Sequence, residues 1–394
     1  MSMSTYTTDK ASPFTRAVVR SMRKLYPEAL AEGFDNTGLL LEAPFDPIRR
    51  QMNSVLLTID LTKAVADEAI ERKDCVVVSY HPIIFRDLKS LTLADSQQQS
   101  LLRLALEGIS VYSPHTAVDA APEGLGDWLA DIVTGTLSDP EPETKTAESA
   151  TETPEVKSEE PSKDDKLQRP TRMSLQRTYS RPTYPSPEKL QQTELAPSTA
   201  DHTRSVIHPI THVKGFESAG MGRLVRFSNP QPLTHLIERI ARGVGNPKGF
   251  PVAIPQKRQV EDISINTVGI CAGSGHSVLK DIDADLLFTG ELSHHDALKA
   301  TEKGQCVVTL FHSNTERGFL SSVLKGKLTE ILQKEWKTVR EDVEREREED
   351  GILTPEWEDA LKDEDVLVEV SERDRDPFGI VILQSSEQVG KPLS

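Results

Sequence analysis

The stretch CVVVSYHPIIF, residues 75–85, decides how this chain folds. Its first four residues are apolar and mostly β-branched, which is typical of a strand covered on both faces of a sheet. Pro82 ends regular strand pairing, so we expect His81 where the strand leaves the sheet. Ligands bind at the carboxyl ends of strands in open α/β sheets. The stretch therefore predicts a buried strand with a functional histidine at its end, although a lone histidine is more often structural.

Similar strand patterns recur along the chain and alternate with helical patterns. Strands are predicted at 55–60, 75–80 and 109–113, and again at 266–271, 285–290 and 306–311. Helical patterns separate them, including one at 275–282 and one that begins at about residue 315. Alternating strands and helices imply βαβ units and mainly parallel sheets. We therefore predict an α/β protein with two similar α/β halves that face each other across a metal-binding cleft.

Composition divides the 394 residues into three parts. Residues 10–138 form the first α/β half, and residues 205–390 form the second. Between them, residues 139–204 are rich in Pro, Glu, Ser, Thr and Lys and poor in large apolar residues. Such a segment cannot offset its conformational entropy by burial, so it is predicted to be a disordered insert. A charged stretch at about 334–376 is predicted to be a solvated helical insertion within the second half.

Charge and cysteine content narrow the class of protein. A net charge of −16 argues against direct nucleic-acid binding, which rests on Lys and Arg. Cys75, Cys271 and Cys306 have no paired spacing and are predicted to be buried and reduced. No stretch approaches the roughly 20 apolar residues of a membrane span, and no secretory signal is recognisable. We expect an intracellular protein without membrane contact, by default cytoplasmic, with nucleus and mitochondrion left open.

Histidines and acidic residues collect where the predicted strands end. These residues are His81, His115, Asp119, Glu291, His294, His295, His312 and Glu316. Imidazole and carboxylate groups are ligands for Zn, Mn and Fe, and carboxylates can bridge two ions. In HSNTE, His312 and Glu316 are four residues apart and would lie on the same side of a helix that begins there. A metal centre is therefore preferred over separate structural roles.

Two other patterns surround Cys271. GICAG, residues 269–273, has the form of a strand-to-helix elbow, which would make Cys271 a nucleophile assisted by a histidine. The turn formed by Gly273, Ser274 and Gly275 would offer backbone N–H groups at a helix N-terminus to an anion such as phosphate. A simple tight connection explains the same glycines equally well. No triad order supports the nucleophile, so the metal centre remains the preferred hypothesis.

Six motifs occur in order along the chain: GFDNTGLLLE (33–42), SYHPIIF (79–85), HTAVDAAPEGLGDWLA (115–130), GICAGSG (269–275), FTGELSHHD (288–296) and HSNTERGFL (312–320). With these motifs the chain resembles the Nif-three-like family, also called dinuclear metal centre proteins and GTP cyclohydrolase I type 2 homologues, in its eukaryotic form. The resemblance implies a pair of related α/β domains with two divalent metal ions between them. Neither the 139–204 insert nor the acidic stretch after residue 334 belongs to the shared pattern.

The resemblance also implies roles for single residues. The positions that match the family's metal ligands are His81, Asp119, His312 and Glu316. Tyr80 stands where many bacterial members have a second histidine, which removes one expected ligand. The residues that would compensate are His115, His294 or His295. The implied cofactors are divalent ions (Zn, Mn or Fe), two per chain, and Glu291 and His295 would supply a general acid or base.

Two functional hypotheses follow from the resemblance. The first is a metal-dependent hydrolase that uses a metal-activated water, either for ring opening of GTP or for phosphoester or nucleotide hydrolysis. The second is a non-enzymatic regulatory protein in which the metal is structural and the chain binds a protein partner such as a transcriptional adaptor. The resemblance also implies a homo-oligomer. The substrate is not readable from the sequence.

Overall fold

The computed structural model describes residues 11–136, 200–351 and 353–381. These residues form two sheets, one of five strands and one of six, with helices on both, so the predicted α/β class with two halves is confirmed. The predicted insert at 139–204 lies outside the described residues up to residue 199. Its last residues were assigned wrongly, because a strand begins at His202.

The first sheet contains β1 (Gly38–Leu41), β2 (Ser54–Thr58), β3 (Val76–Ser79), β4 (Ser110–Ser113) and β11 (Leu367–Val370). Their order across the sheet is β1-β4-β3-β2-β11, with β1 antiparallel on one edge and the other four strands parallel. Helix α2 (Lys63–Arg72) connects β2 to β3, and α3 (Ser96–Leu106) connects β3 to β4. The predicted βαβ units are therefore present in this half.

Local sequence explains where these elements begin and end. All residues of β2 and β3 are buried, as their apolar composition predicts. The Thr62 side chain accepts a hydrogen bond from the first turn of α2, and the Asp95 side chain does the same for α3. Such caps satisfy N–H groups that have no partner inside the helix. Helix α2 then ends at Lys73 in the left-handed conformation (φ 57°).

The second sheet contains β5 (His202–Pro209), β6 (Gly220–Pro232), β7 (Val252–Ala253), β8 (Ser264–Ser274), β9 (Leu286–Glu291) and β10 (Cys306–Thr309). Their order is β5-β6-β8-β9-β10-β7, and the three strands β8, β9 and β10 are parallel. Two helices, α6 (Leu233–Gly243) and α7 (His294–Glu302), follow β6 and β9. The prediction of a helix at 275–282 was wrong, because turns connect β8 to β9 there.

The chain after β10 returns to the first half. Helical turns at Arg317–Phe319 and Leu320–Leu324 lead into α8 (Lys325–Glu349), which packs against α1 (Pro13–Leu25). Helix α9 (Pro355–Lys362) follows, and β11 then pairs with β2 of the first sheet. The assignment of all residues from 205 to 390 to the second half was therefore wrong.

The predicted solvated character of the acidic stretch was also wrong. Helix α8 buries one apolar stripe, formed by Leu328, Leu332, Trp336, Val339 and Val343. Their spacing of three or four residues is that of one helix face. Most of the charged side chains are not buried, and the exceptions are Glu335 and Arg347. Trp336 packs edge-on against Phe14 of α1, with ring centroids 5.4 Å apart. This packing holds α8 to the first half.

Two short helices link the halves. Helices α4 (Thr116–Ala120) and α5 (Leu125–Thr134) follow β4, and α5 packs against β6 and β8 of the second sheet. One continuous core includes buried residues from both sheets, and all three cysteines are buried and free, as predicted. Within the described ranges, no helix combines the length and apolar character needed to cross a membrane. The carboxyl ends of the parallel strands in both sheets supply the site described next.

Candidate metal centre

Histidines from the two sheets meet beside a buried glutamate. His81 comes two residues after β3, and His312 comes three residues after β10. Glu316 follows a short turn at Ser313–Thr315. One ligand atom from each of His81, His312 and Glu316 lies within 4.8 Å of the other two. Three of the four residues predicted as metal ligands are therefore close enough to hold one ion.

The Glu316 carboxylate is the centre of this group. Its side chain is 1% exposed, with Oε1 3.6 Å from His312 Nε2 and Oε2 3.5 Å from His81 Nε2. Among the described residues, Oε2 has no hydrogen-bond partner. Burial raises the pKa of Glu316 well above its usual range, and the charges of Asp119 and Asp60 raise it further. A buried carboxylate is costly unless a cation or proton meets it, so the donor set fits a metal cation.

Both histidines are oriented in the same way. The Nδ1 atom of His81 lies 2.9 Å from Asp60 Oδ1, and that of His312 lies 3.0 Å from Glu291 Oε1. An ionised carboxylate only accepts hydrogen bonds, so the Nδ1 atom of each ring is the donor in this contact, and Nε2 is the atom that can ligate an ion. Burial lowers the pKa of His81, although Asp60 acts in the opposite direction. Metal-binding histidines in proteins are usually held by such carboxylates.

Gly273 closes one side of the group. Its φ is +55°, and a Cβ atom at this position would lie 2.8 Å from Glu316 Oε1 and 2.9 Å from His312 Nε2. Glycine adopts this conformation without strain, and a residue with a Cβ atom could not approach the two ligands so closely. Its N–H donates to Thr315 Oγ1 at 2.9 Å, which holds β8 against the turn that carries the ligands. Gly273 is thus part of the wall of the candidate site.

The predicted anion-binding turn at Gly273, Ser274 and Gly275 lacks its expected support. No helix follows it, since β8 ends at Ser274 and turns come next. The Gly275 N–H donates to the Glu291 carbonyl oxygen at 3.2 Å, and the Gly273 N–H is also used within the protein. The prediction of a helix N-terminus, on which the proposed phosphate site rested, was therefore wrong. The glycines instead allow close packing.

Asp119 lies beside the group but is not one of its three members. It sits in α4 and accepts a hydrogen bond from the Tyr80 hydroxyl at 2.7 Å. Burial raises the pKa of Asp119 to about 6, against the hydrogen bond from Tyr80, which lowers it. His115 is oriented by Asp35, at 2.7 Å between Nδ1 and Oδ1, and its ring lies 5.5 Å from that of His81. Metal ligation by Asp119 stays a prediction.

The residues predicted to be catalytic lie on the exposed side. Glu291 is 54% exposed and orients His312. His294 and His295 are exposed at the start of α7, with their rings 5.4 Å apart. In the described part of the chain, no hydrogen bond or ring contact links either histidine to the three-residue group. Acid–base roles for Glu291 and His295 stay predictions.

The cysteine-nucleophile alternative does not fit the structure. Cys271 lies inside β8, is 6% exposed, and donates from Sγ to the Ala272 carbonyl oxygen at 3.3 Å. Burial raises the pKa of its thiol, with further raising by Asp119 and Glu316. Nucleophilic cysteines are accessible and have lowered pKa values. Cys271 is therefore a core residue.

Sequence reasoning missed three residues that complete the site. Asp60 follows β2, so the strand-end rule that identified His81 also applies to it. Arg317 directly follows Glu316, is 5% exposed, and places Nη2 3.2 Å from Asp60 Oδ2. Its other terminal nitrogen, Nη1, lies 2.6 Å from Oδ2 of Asp374, for which no local signal exists in the sequence.

Comparisons with known proteins agree with this architecture. The sequence matches the family Duf34/NIF3 (NGG1p interacting factor 3) over residues 15–346. It is 39% identical over 315 residues to the protein NIF3 homolog of Schizosaccharomyces pombe, covering 80% of this chain and 88% of the relative. It is 33% identical over 319 residues to NGG1-interacting factor 3 of Saccharomyces cerevisiae, covering 79% and 89%.

Solved structures show the same fold at low sequence identity. A Bacillus cereus protein related to NIF3 gives a TM-score of 0.56 at 18% identity, covering 93% of this chain and 98% of that one. Reduced HcgD from Methanocaldococcus jannaschii gives a TM-score of 0.51 at 19% identity, covering 80% and 93%. The resemblance inferred from the six motifs is confirmed, and the chain belongs to the DUF34/NIF3 family.

Proposed function

We propose that this protein is a metal-dependent hydrolase in which His81, His312 and Glu316 bind a divalent ion. The observation that carries the proposal is the convergence of two imidazole Nε2 atoms on a buried carboxylate with an unpaired oxygen. When bound, a divalent ion lowers the pKa of a coordinated water and polarises the substrate. Zn, Mn and Fe suit imidazole and carboxylate ligands.

The surrounding residues divide the remaining tasks. Asp60 and Glu291 each keep a proton on a histidine Nδ1, which leaves Nε2 free to ligate. Glu291 is the more exposed carboxylate, so it can also take a proton from an attacking water, with His295 as the other candidate base. Asp119 is the candidate ligand for a second ion, because it accepts a hydrogen bond from Tyr80, the neighbour of His81 in the chain.

The substrate class is proposed more broadly than the family label. Ring opening of GTP and hydrolysis of phosphoesters or nucleotides both use a metal-activated water. Among the described residues, the charged side chains within ion-pair distance of the two ligand histidines are carboxylates, namely Asp60, Glu291 and Glu316. Binding of an anionic substrate would therefore depend on the positive charge of the metal.

The test combines metal content with activity. Wild type, His81→Ala and His312→Ala are purified without chelators and compared by elemental analysis, and wild type is screened against GTP, nucleotides and phosphomonoesters. His276→Ala is the matched control, because His276 pairs with Asp296 on the surface. We expect metal in wild type and the control, and a sharp loss in both site variants. Absence of metal in wild type, even after supplementation with Zn, Mn or Fe, would contradict the proposal.

A second candidate function is a regulatory protein with a structural metal. What supports it is the name of the Saccharomyces cerevisiae relative, NGG1-interacting factor 3, which describes an interaction with NGG1. Structural metal sites are closed, whereas catalytic sites keep an open position. If Glu291→Gln and His295→Ala keep their metal but lose hydrolysis, the enzyme is supported. If metal removal unfolds the protein and the screen finds no hydrolysis, the regulatory function is favoured.

Self-association is a further part of the proposal. Five large apolar side chains between residues 85 and 106 are more than two-fifths exposed, namely Phe85, Leu88, Leu91, Leu93 and Leu106. Exposed apolar patches often mark interaction sites, which supports a homo-oligomer or a protein partner. Sedimentation at several concentrations distinguishes a single-chain mass from a multiple of it.

A further inference from the structure

The segment after β11, residues 371–381, runs back to the metal centre, and we name it the C-terminal strap. It lies beyond the residues matched to the family, which end at 346. The strap is anchored on the first half: the Ser371 N–H donates to the Leu57 carbonyl oxygen at 2.8 Å, and the Arg373 N–H donates to Glu68 Oε2 at 3.2 Å. The first half thus fixes where the next residue, Asp374, is placed.

Asp374 is the buried acid of the strap. Its side chain is 4% exposed, and its Oδ2 accepts the Ile59 N–H at 2.7 Å directly after β2. The same oxygen lies 2.6 Å from Arg317 Nη1. Among the described residues, Oδ1 of Asp374 is buried and has no partner. Arg317 is therefore the charge that compensates this carboxylate, and removal of either partner would leave a buried charge unpaired.

Arg317 connects the strap to the histidine. Its guanidinium group lies between two carboxylates, with Nη1 on Asp374 and Nη2 3.2 Å from Asp60 Oδ2. The other oxygen of Asp60 holds His81 Nδ1 at 2.9 Å. A planar guanidinium fixes the direction of both partners, because its N–H groups are held in one rigid plane. The order of contacts is Asp374, Arg317, Asp60, His81.

These contacts cross between the two halves. Asp60 and His81 belong to the first sheet, whereas Arg317 follows Glu316 on the segment that leaves the second sheet. A second strap residue, Asp376, accepts a hydrogen bond from Ser313 Oγ at 2.5 Å, and Ser313 Oγ in turn accepts from Arg317 Nε at 3.1 Å. The strap therefore holds both the first-half ligand and the turn that carries the second-half ligands.

We propose that Asp374 is a positioning residue of the metal centre, acting through Arg317 and Asp60 on the orientation of the His81 imidazole. This inference rests on the proposed metal centre. Preorganised ligands bind tightly because their supporting contacts hold them in place before the ion arrives. A role confined to folding would instead change thermal stability and leave the affinity of the folded protein for metal unchanged.

The test measures the dissociation constant of Zn²⁺ on the full chain, by competition with a chromophoric chelator. For Asp374→Asn we expect about tenfold weaker binding, the lower end of what loss of an outer-shell partner costs. Arg373→Gln is the matched control in the same strap, because among the described residues its side chain pairs only with the exposed Glu71, and we expect no change. In an Asp60→Asn background, Asp374→Asn should have almost no further effect, because the contacts to His81 are already interrupted.

The outcomes separate this inference from the proposed function. If wild type binds Zn²⁺ and Asp374→Asn has the same dissociation constant, the role of Asp374 is overturned and the metal centre is left intact. If Asp374→Asn weakens Zn²⁺ binding as much in the Asp60→Asn background as it does in wild type, the connection through Asp60 is overturned. Absence of binding by wild type overturns the metal centre and this inference with it. If Asp374→Asn does not fold, Arg317→Lys keeps the charge but loses the planar fork, and the same weakening is expected.

Discussion

His81 and His312 approach the same carboxylate from different sheets, yet they are supported differently. His81 is 23% exposed, and its partner Asp60 is itself held by the buried Arg317. His312 is 40% exposed, and the side chain of its partner Glu291 has no further partner among the described residues. One side of the centre is therefore rigidly supported, and the other is open to solvent. We infer that the first half sets the ligand geometry and that water and substrate approach from the second.

The largest expected effect is at Gly273, where the two sides meet. Gly273→Ala would place a Cβ atom 2.8 Å from Glu316 Oε1 and 2.9 Å from His312 Nε2. The ligands would have to move apart, so we expect the affinity for Zn²⁺ to fall by more than about 100-fold, beyond what an outer-shell change produces. Chelator competition on the folded variant measures this fall.

Gly215→Ala is the control for backbone strain. Gly215 has a φ of +85°, and no atom lies within 4 Å of the position of an added Cβ. Both variants should lose about 1–2 kcal/mol of unfolding free energy, because alanine is strained in the left-handed region. Only Gly273→Ala should lose metal. Equal metal affinity in the two variants would show that Gly273 does not border the ligand atoms.

Asp60→Asn tests the rigidly supported side. The change weakens the acceptor of the His81 Nδ1 proton and removes the charge that faces Arg317. We expect the affinity for Zn²⁺ to fall by about 10–100-fold, the range typical of partners that orient a metal-binding histidine. Titration at constant pH and ionic strength measures the change, with Arg373→Gln as the unaffected reference.

Glu291→Gln makes the matched change on the open side. Because Glu291 is half exposed and water can replace its contact to His312, we expect its loss of affinity to stay below about tenfold. Hydrolysis of any substrate found by screening should fall more than metal affinity does, since this carboxylate is also the candidate base. If Glu291→Gln loses as much Zn²⁺ affinity as Asp60→Asn, or more, the two sides of the centre are not supported differently.

The sequence predicted the part of the site that depends on strand ends. Parallel strands end at one edge of a sheet, so His81 and the residues after β10 could be assigned to the centre before any geometry was known. Asp60 obeys the same rule and could have been predicted. Asp374 could not, because its contact with Arg317 requires the chain to cross back through α8 and β11, and the buried stripe of α8 is hidden among charged residues.

The smallest expected effect is that of Asp119 on the pH dependence of stability. It is measured on metal-free protein and tests the rigidly supported side of the centre. Burial raises the pKa of Asp119 from 3.8 to about 6, against the lowering by Tyr80, so in metal-free protein the folded state binds this proton more tightly than the unfolded state. The contribution of Asp119 to stability is then most favourable below about pH 4 and is lost as the pH rises to about 6. Asp119→Asn does not titrate, so its melting temperature relative to wild type should rise over this window and become constant above it.

Asp281→Asn is the control for this pH dependence. Hydrogen bonds from Lys299 and Lys303 lower the pKa of Asp281 to about 2, so this group stays ionised in the folded protein at the same pH values. The difference in melting temperature between Asp281→Asn and wild type should therefore be nearly constant between about pH 4.5 and 6.5. If the melting temperature of Asp119→Asn relative to wild type is also constant over these pH values, Asp119 is better solvated than its position beside Tyr80 implies. It would then belong to the open side of the centre, and the contrast between the halves would apply to the histidine supports alone.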